Sequence, residues 1–173
     1  GSLFRQTLER VAPVIPAKRI YVVTNRQYRK AVREQAGACR IPAANILQEP
    51  QGKNTAPAIC WAASRIYRKD PRAIMAVLPS DHLIGNNPAF LMALQKAVRL
   101  AERDYLVTFG ITPTRPETGY GYLQTQVRPE GRRQVLRVRR FIEKPALSKA
   151  RRYARSKNYF WNSGMFVWKA GVV

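Results

Sequence analysis

Asp81 is the side chain of this sequence best suited to metal chemistry. It follows the apolar run 73–78 after Pro79 and Ser80. Such a run predicts a buried strand, and ligands of α/β proteins bind beyond the carboxyl ends of parallel strands. A short carboxylate at that place can hold Mg²⁺ and neutralise phosphate oxygens. The competing interpretation is that Asp81 only caps the turn that follows.

Asp81 belongs to a series of short clusters in which Gly, Pro, Asn or Asp stand beside an apolar run. Loops of this composition typically leave the ends of buried strands and carry binding residues. A series of them on an alternating helix and strand background indicates a ligand cleft that several loops build together. The clusters are 49–57, 78–82, 116–122, 141–145 and 161–166.

Two of these clusters offer groups that suit a sugar phosphate. Gly119 and Gly121 carry no Cβ and therefore allow a ligand to approach the backbone closely. Glu143 can accept hydrogen bonds from hydroxyls, and Lys144 supplies a cation for phosphate. Neighbouring residues of a strand point to opposite faces, so this pair needs a bend at Pro145 to reach one ligand. A surface ion pair is the competing interpretation.

Two further clusters offer hydrogen-bonding groups. Residues 52–57 enter a predicted helix N-terminus, where free backbone N–H groups suit an anion or the edge of a nucleotide base. A plain helix cap by Thr55 is the competing interpretation. Asn162 can both donate to and accept from a sugar hydroxyl. His82 is the single histidine of the chain and is given a structural role.

The formal net charge of +21 over 173 residues raises the affinity of the chain for polyanions. The basic residues are spread along the sequence and are densest over 128–140. Aromatic residues are not interleaved with these arginines, as a base-stacking surface requires. The run is therefore interpreted as a solvated sheet edge, and the sequence argues against nucleic acid as a partner.

The composition predicts a folded cytoplasmic protein without a membrane segment. Hydrophobic residues make up 46% of the chain, which is enough for a core. No apolar stretch approaches the roughly 20 residues that span a bilayer. Cys39 and Cys60 lack metal-ligand spacing, and Cys60 is predicted to be a small core residue on a helix.

Hydrophobic periodicity predicts alternating helices and strands, then a strand-rich stretch. The order indicates a Rossmann-like three-layer α/β fold with a mixed sheet, formed by one domain over 1–173. Gly37 is predicted to end the second helix, Thr55 to cap the third, and 129–131 to form a turn. Helices are predicted over 3–11, 26–36, 88–102 and 146–156, with another after Thr55. Strands are predicted over 20–23, 73–78, 105–109, 120–127, 134–142 and 165–168, with a short one from Ile46.

Taken in order, the clusters resemble the nucleotidyltransferase domain of bacterial mannose-1-phosphate guanylyltransferases, over nearly the whole chain. The resemblance implies a GT-A-like nucleotidyltransferase fold. Members of that family open with a strand and a Gly-rich, Arg-containing loop that holds the nucleoside triphosphate, and they carry a second metal-binding Asp further on. These residues show no counterpart of either. We therefore expect a sheet without its N-terminal strand, with unpaired backbone groups beside the slot.

The resemblance also assigns roles to individual residues. Asp81 is implied to be a metal ligand and, with Lys144, a catalytic residue. The implied nucleotide-binding residues are Asn54, Thr55, Ala56 and Pro57, and the implied sugar-binding residues are Gly119, Tyr120, Gly121, Glu143 and Asn162.

The implied reaction is attack of mannose 1-phosphate on GTP, which gives GDP-mannose and pyrophosphate with Mg²⁺ as cofactor. We expect the chain to be a fragment, one part of a split enzyme or a degenerate homologue. A homo-oligomer and a complementing N-terminal segment are both left open as partners. Three other functions stay open: a thymidylyl- or adenylyltransferase of the same fold, a non-catalytic sugar-nucleotide-binding homologue, and a basic nucleic-acid-binding module.

Overall fold

The computed structural model describes residues 1–126 and 135–172. The chain divides into two compact units, Gly1–Val107 with Phe166–Val173, and Thr108–Met165. The single domain over 1–173 stays a prediction. The turn predicted at 129–131 lies outside the described residues.

The first unit alternates helices and strands, as the sequence predicts. Helix α1 has the predicted bounds, and Ser2 caps it by accepting a hydrogen bond from the Arg5 N–H. The elements are α1 (Leu3–Val11), β1 (Val22–Asn25), α2 (Arg29–Ala38), β2 (Ile46–Glu49), α3 (Thr55–Lys69), β3 (Ile74–Val77) and α4 (Asn87–Ala101). Single 3₁₀ turns lie at Ala17–Arg19, Ala43–Asn45 and Ala170–Val172.

Strands β1 and β2 form a parallel pair between two layers of helix. Val22 lies opposite Ile46, and Val23 lies opposite Leu47. Because side chains alternate along a strand, the first pair packs with α1 and α2 and the second packs against α3. Because both faces of the pair are covered by helices, the sequences of these strands are short continuous hydrophobic runs.

Strand β3 pairs antiparallel with the last part of the strand β7 (Tyr159–Lys169), with Val77 opposite Phe166. The sequence placed β3 in a parallel sheet, but parallel pairing among the described strands of this unit is confined to β1 and β2. Among the described strands, β1 bonds only β2 and β3 bonds only β7. Each of them therefore keeps one edge without a partner strand there.

Helix α2 runs through Gly37, so the prediction that this glycine ends the helix is wrong. The helix is closed instead by Arg40, whose φ is 60°. The Arg40 N–H donates to the Gly37 carbonyl at 2.8 Å, and the Ile41 N–H donates to the Ala36 carbonyl at 3.0 Å. These are the two bonds of a Schellman ending, here with arginine in the left-handed position that glycine usually takes.

Helix α3 corrects two further predictions. Thr55 is the first helical residue, and the position before it belongs to Asn54, so Thr55 is not the cap. Cys60 is exposed rather than part of the core. The buried stripe of α3 is rotated by about one residue relative to the predicted stripe, and Cys60 therefore faces solvent. The stripe consists of Ile59, Ala62, Ala63 and Ile66.

The second unit is built on β5, which lies between β6 and β7 and pairs antiparallel with both. Helix α5 packs Ala150 and Tyr153 against Tyr122 and Trp161. Strand β7 is longer than the predicted 165–168, whereas the described β6 begins later than predicted. The elements are β4 (Val107–Ile111), β5 (Tyr122–Thr125), β6 (Val138–Ile142), α5 (Leu147–Ala154) and β7.

No helix in the described part of the chain is both long enough and apolar enough to cross a membrane.

Replacing Gly110 by alanine should destabilise the fold. A Cβ at this position would lie 2.9 Å from Phe160 Cβ and 3.2 Å from its Cγ, and Phe160 Cβ cannot move without the β7 backbone. We expect a loss of about 1–3 kcal/mol in the free energy of unfolding, measured by urea denaturation. Gly37→Ala is the matched control, because a Cβ at this position meets nothing within 4 Å. This substitution should raise the free energy of unfolding by about 0.5–1 kcal/mol, since alanine is favoured over glycine inside a helix. Equal stability of wild type and Gly110→Ala would contradict the packing.

Candidate functional site

A groove lies in the first unit where the chain passes from β2 into α3. Asn54, Thr55, Ala56 and Pro57, the predicted nucleotide-binding residues, are all exposed at this place. The groove therefore contains both polar groups of the loop and one large aromatic surface. Its lining residues are Glu49, Pro50, Gln51, Lys53, Pro57 and Trp61.

Asn54 has an unusual backbone conformation that shapes the entry into α3. Its φ is 64° and its ψ is −166°, a region that essentially only glycine occupies and that costs about 1–3 kcal/mol. The Asn54 side chain makes no capping hydrogen bond. The first N–H groups of α3 therefore stay available to an external acceptor, as the sequence predicts for this loop.

Trp61 was not predicted as a site residue from the sequence. It lies one helical turn after Pro57, so the two side chains share a face of α3 and both line the groove. The available signal was this four-residue spacing from the loop, which places an aromatic ring beside predicted binding residues. A half-buried indole in a groove is a surface on which a planar ring can stack.

Asp81 lies in a turn after β3, with 81% of its side chain exposed. The His82 side chain lies beside it, with Nε2 3.9 Å from Oδ1. Within residues 1–126 and 135–172, no three His, Cys, Asp or Glu side chains form a group that could hold a metal ion. Asp81 is thus an open carboxylate at the end of a strand.

In the second unit, Gly121 brings Glu143 and Asn162 together. The Asn162 N–H donates to the Gly121 carbonyl at 2.8 Å. A Cβ on Gly121 would lie 3.1 Å from Glu143 Oε2 and 3.7 Å from Asn162 Cβ. A side chain at this position would enter the space beside the Glu143 carboxylate, and the exposed end of Glu143 would have to move aside. Three predicted sugar-binding residues therefore form one cluster.

Glu143 and Lys144 form an exposed ion pair, which agrees with the surface-pair interpretation as well as with a shared ligand. Lys144 Nζ lies 3.6 Å from Glu143 Oε1, and both side chains are mostly exposed. The bend that allows this is at Lys144 itself, with φ at 35°, rather than at the predicted Pro145. A non-glycine residue in this region is strained, and such strain tends to occur at functional sites.

Glu117 organises the loop that carries the other predicted sugar-binding residues, Gly119 and Tyr120. Its Oε1 accepts the Gly119 N–H at 3.0 Å, and its Oε2 accepts Nε and one terminal nitrogen of Arg115, both at 3.2 Å. The Tyr122 hydroxyl donates to the Glu117 backbone carbonyl at 2.9 Å. The Gly119 N–H, and after it the Arg115 guanidinium, hold the pKa of the Glu117 carboxyl below its ordinary value.

Two aromatic contacts complete this loop. The Arg115 guanidinium lies 5.6 Å from the centre of the Trp161 ring, within the range of a cation–π contact. The exposed Tyr120 meets the same ring edge-on, with the ring centres 5.4 Å apart. Neither Arg115 nor Glu117 was predicted as a site residue from the sequence, although Glu117 stands inside the predicted loop cluster 116–122.

The predicted residues therefore fall into two sets. Asp81 and the loop 54–57 belong to the first unit, whereas Lys144 and the sugar-binding cluster belong to the second. Within the second unit, Gly121, Glu143, Lys144 and Asn162 are brought together by short contacts.

Comparison with known proteins places the chain in a family. The model of the nucleotidyl transferase family matches residues 1–173. The chain therefore belongs to the nucleotidyl transferase family, and the nucleotidyltransferase fold predicted from the sequence is confirmed.

Individual relatives narrow the class. The chain is 42% identical to the alginate biosynthesis protein AlgA of Pseudomonas putida, in a match that covers 98% of this chain and 35% of AlgA. It is 40% identical to the mannose-1-phosphate guanylyltransferase of Escherichia coli, over 98% of this chain and 36% of that protein. The crystal structure of a mannose-1-phosphate geranyltransferase from Thermus thermophilus matches with a TM-score of 0.84 and 34% identity, over 97% of this chain and 47% of that one.

The chain thus spans about a third of the length of these two curated relatives. The resemblance to mannose-1-phosphate guanylyltransferases that its motifs indicated is confirmed at the level of sequence.

The loop that Glu117 organises should depend on pH. The folded-state pKa of Glu117 is lowered, so its contribution to stability is complete above the pKa of the unfolded chain and is lost as the pH falls through the folded value. We expect the Gly119 amide resonance to titrate with a midpoint below that of an ordinary glutamate. The measurement is a series of ¹⁵N–¹H correlation spectra from neutral to acid pH.

Glu117→Gln is the matched variant for this titration, since it keeps an oxygen acceptor for the Gly119 N–H but carries no charge. Its Gly119 resonance should lose the acid transition. A wild-type midpoint at or above the ordinary glutamate value would contradict the hydrogen bonds from Gly119 and Arg115 as the cause.

Proposed function

We propose that this chain is the nucleotidyltransferase module of an enzyme that transfers a guanylyl group from GTP to mannose 1-phosphate. The observation that carries the proposal is the cluster of Gly121, Glu143 and Asn162, in which an acceptor and an amide side chain lie beside a glycine. The choice of guanine and mannose is supported by the name of the Escherichia coli relative.

The groove before α3 is the proposed place of the nucleotide base. Trp61 offers an aromatic face for stacking, and the first N–H groups of α3 suit the acceptors on the edge of a purine. Lys53 adds a positive charge at the same place. The exposed positions of Asn54 and Thr55 leave both side chains free to contact the base.

The cluster in the second unit is the proposed place of the sugar phosphate. Glu143 accepts hydrogen bonds from sugar hydroxyls, and Asn162 contributes its amide. Gly119 and Gly121 let the ligand lie against the backbone, and Tyr120 provides an exposed ring beside them. Lys144, held beside Glu143, is placed to neutralise the phosphate.

Asp81 is the proposed ligand of Mg²⁺. Magnesium in such enzymes is usually held by one or two carboxylates together with substrate phosphates and water. The exposed Asp81 carboxylate fits this donor set, whereas the His82 imidazole 3.9 Å away does not belong to it. When bound, the ion would neutralise negative charge on the substrate phosphates.

In the proposed reaction, a phosphate oxygen of mannose 1-phosphate attacks the α-phosphorus of GTP. A new P–O bond forms, the bond to the β-phosphate oxygen breaks, and pyrophosphate leaves. This chemistry requires alignment and charge neutralisation rather than a covalent enzyme intermediate. The residues named above bind and orient the two substrates, and Lys144 stabilises charge on the attacking phosphate. GTP and the sugar phosphate are metabolites of the cytoplasm, which is the proposed location.

Pyrophosphate release from GTP and mannose 1-phosphate in the presence of Mg²⁺ tests the proposal. Asp81→Asn should lower the rate about 100-fold, because it removes the charged metal ligand and keeps the shape. Glu34→Gln is the matched control, since Glu34 is an exposed carboxylate on α2 and its loss changes the net charge equally. That control should keep the wild-type rate.

Calorimetric titration of the same preparation with GDP-mannose separates binding from turnover. Binding without pyrophosphate release would leave a sugar-nucleotide cleft without its catalytic machinery, which both the expected fragment and the non-catalytic alternative predict. Neither binding nor turnover would overturn the proposed function. Faster turnover with dTTP or ATP than with GTP would keep the reaction class and reject guanine as the base.

A further inference from the structure

Arg10, on α1, is the one charged side chain that is buried among the described residues, with 6% of its surface exposed. No carboxylate in the described part of the chain forms an ion pair with its guanidinium. Burying a charge is costly unless the charge is paired, and an apolar side chain of similar volume avoids that cost. Stability therefore does not explain why an arginine lies here, and its hydrogen bonds indicate another role.

The guanidinium of Arg10 connects three parts of the first unit. Its Nε donates to Asn87 Oδ1 at 3.2 Å, and one terminal nitrogen donates to Thr7 Oγ1 at 3.3 Å. The other terminal nitrogen donates to the His82 backbone carbonyl at 3.4 Å. The guanidinium carbon also lies 5.8 Å from the centre of the Phe90 ring on α4. Arg10 thus fastens the segment between β3 and α4 to α1.

That segment, the loop 78–86, contains neither helix nor strand. Within the described part of the chain, positions 79–85 form no backbone-to-backbone hydrogen bond. Asp81 lies in this loop, next to His82, and its exposed carboxylate goes where the loop backbone carries it. Arg10 holds the loop at His82 and again at Asn87, where α4 begins.

The geometry of the guanidinium explains why the residue is arginine. Its N–H groups form a rigid planar fork, which can donate in several fixed directions at once. A lysine ammonium is a single point on a flexible stem and cannot replace the fork. The three acceptors, an amide oxygen, a hydroxyl and a carbonyl, are all uncharged, so what the arginine supplies here is direction rather than a charge pair.

We propose that Arg10 is a positioning residue for Asp81, because its guanidinium holds the loop 78–86 in one conformation and so presents the Asp81 carboxylate at a fixed place beyond β3. Arg10 is buried and acts through the loop. The inference rests on the proposed function for the ion that Asp81 would hold. The fastening of the loop, however, is a property of the ligand-free protein and is tested without that ion.

The fastening is tested by ¹⁵N relaxation of the ligand-free chain. Arg10→Met keeps an apolar side chain of similar length and removes the fork. The order parameters of the amides of 80–85 should fall from about 0.85 to below about 0.6, while those of α1 and β1 stay at their wild-type values. Arg33→Met is the matched control, since Arg33 is exposed on α2 and its loss changes the net charge equally. Unchanged loop values in Arg10→Met, or an equal fall in α1 and β1, would overturn the proposal.

Two further variants test the hydrogen bonds themselves. Arg10→Lys keeps the buried charge without the fork, so its loop should be as mobile as that of Arg10→Met; wild-type order parameters in this variant would overturn the proposal. Asn87→Ala removes the acceptor of Arg10 Nε from an exposed position and should lower the same order parameters to a smaller extent. If Arg10→Met does not fold, Asn87→Ala decides, and unchanged values there overturn the proposal.

The consequence for the metal is tested by titration of the ligand-free chain with Mn²⁺, read as paramagnetic broadening of the Asp81 amide signal. Residues that orient a metal ligand typically contribute a factor of about 10–100 to metal affinity. Arg10→Met should therefore need at least about 10-fold more Mn²⁺ for the same broadening. Arg33→Met should respond like the wild type. Equal Mn²⁺ requirements of wild type and Arg10→Met would overturn the proposal.

The two measurements separate this inference from the proposed function. A wild-type chain whose Asp81 signal does not broaden with Mn²⁺ tells against Asp81 as a metal ligand. In that case the order parameters still decide whether Arg10 holds the loop: a fall confined to 80–85 supports it, and unchanged values overturn it.

Discussion

The register of β5 against its two neighbours is the constraint on which the candidate sugar site depends. Tyr122 is fully buried and lies opposite Ile142 on one side and Trp161 on the other. Antiparallel pairing then fixes the preceding residue, Gly121, opposite Glu143 and Asn162. A slip of one residue would turn Tyr122 out of the core and separate the cluster. Burial of one aromatic ring therefore determines the geometry of the binding groups.

The fold could be predicted from the sequence where apolar periodicity and polar caps agree. Helix α1 is such a case, since its apolar stripe and Ser2 define the same bounds. The predicted end of α2 was wrong because a residue other than the expected glycine takes the left-handed position after the helix. Arg40 takes the left-handed position that the sequence assigned to Gly37, because the helix continues through the glycine. The prediction that Cys60 is buried was wrong for another reason. The sequence of α3 allows two apolar stripes that are related by a small rotation about the helix axis, and packing against the rest of the protein decides which one is buried.

Some residues of the candidate site could be predicted from the sequence and others could not. Glu143 and Asn162 could be predicted because each stands in a short cluster whose composition marks a loop or strand end. Glu117 acts through a hydrogen bond from the backbone N–H of Gly119, and composition does not encode such a partner. Trp61 lies between these cases, because helical spacing from the loop 54–57 places it near the groove. Contacts made through the backbone are thus what a single sequence conceals.

The unpaired edges of β1 and β3 in the described part of the chain bear on colloidal stability. An exposed strand edge can template association with another molecule. The net charge of +21 opposes this, because two such molecules repel each other before their edges meet. That repulsion decays over about 8 Å at physiological ionic strength and over about 3 Å at 1 M salt. The excess of basic residues therefore opposes contact between strands with open backbone groups, and concentrated salt weakens this protection.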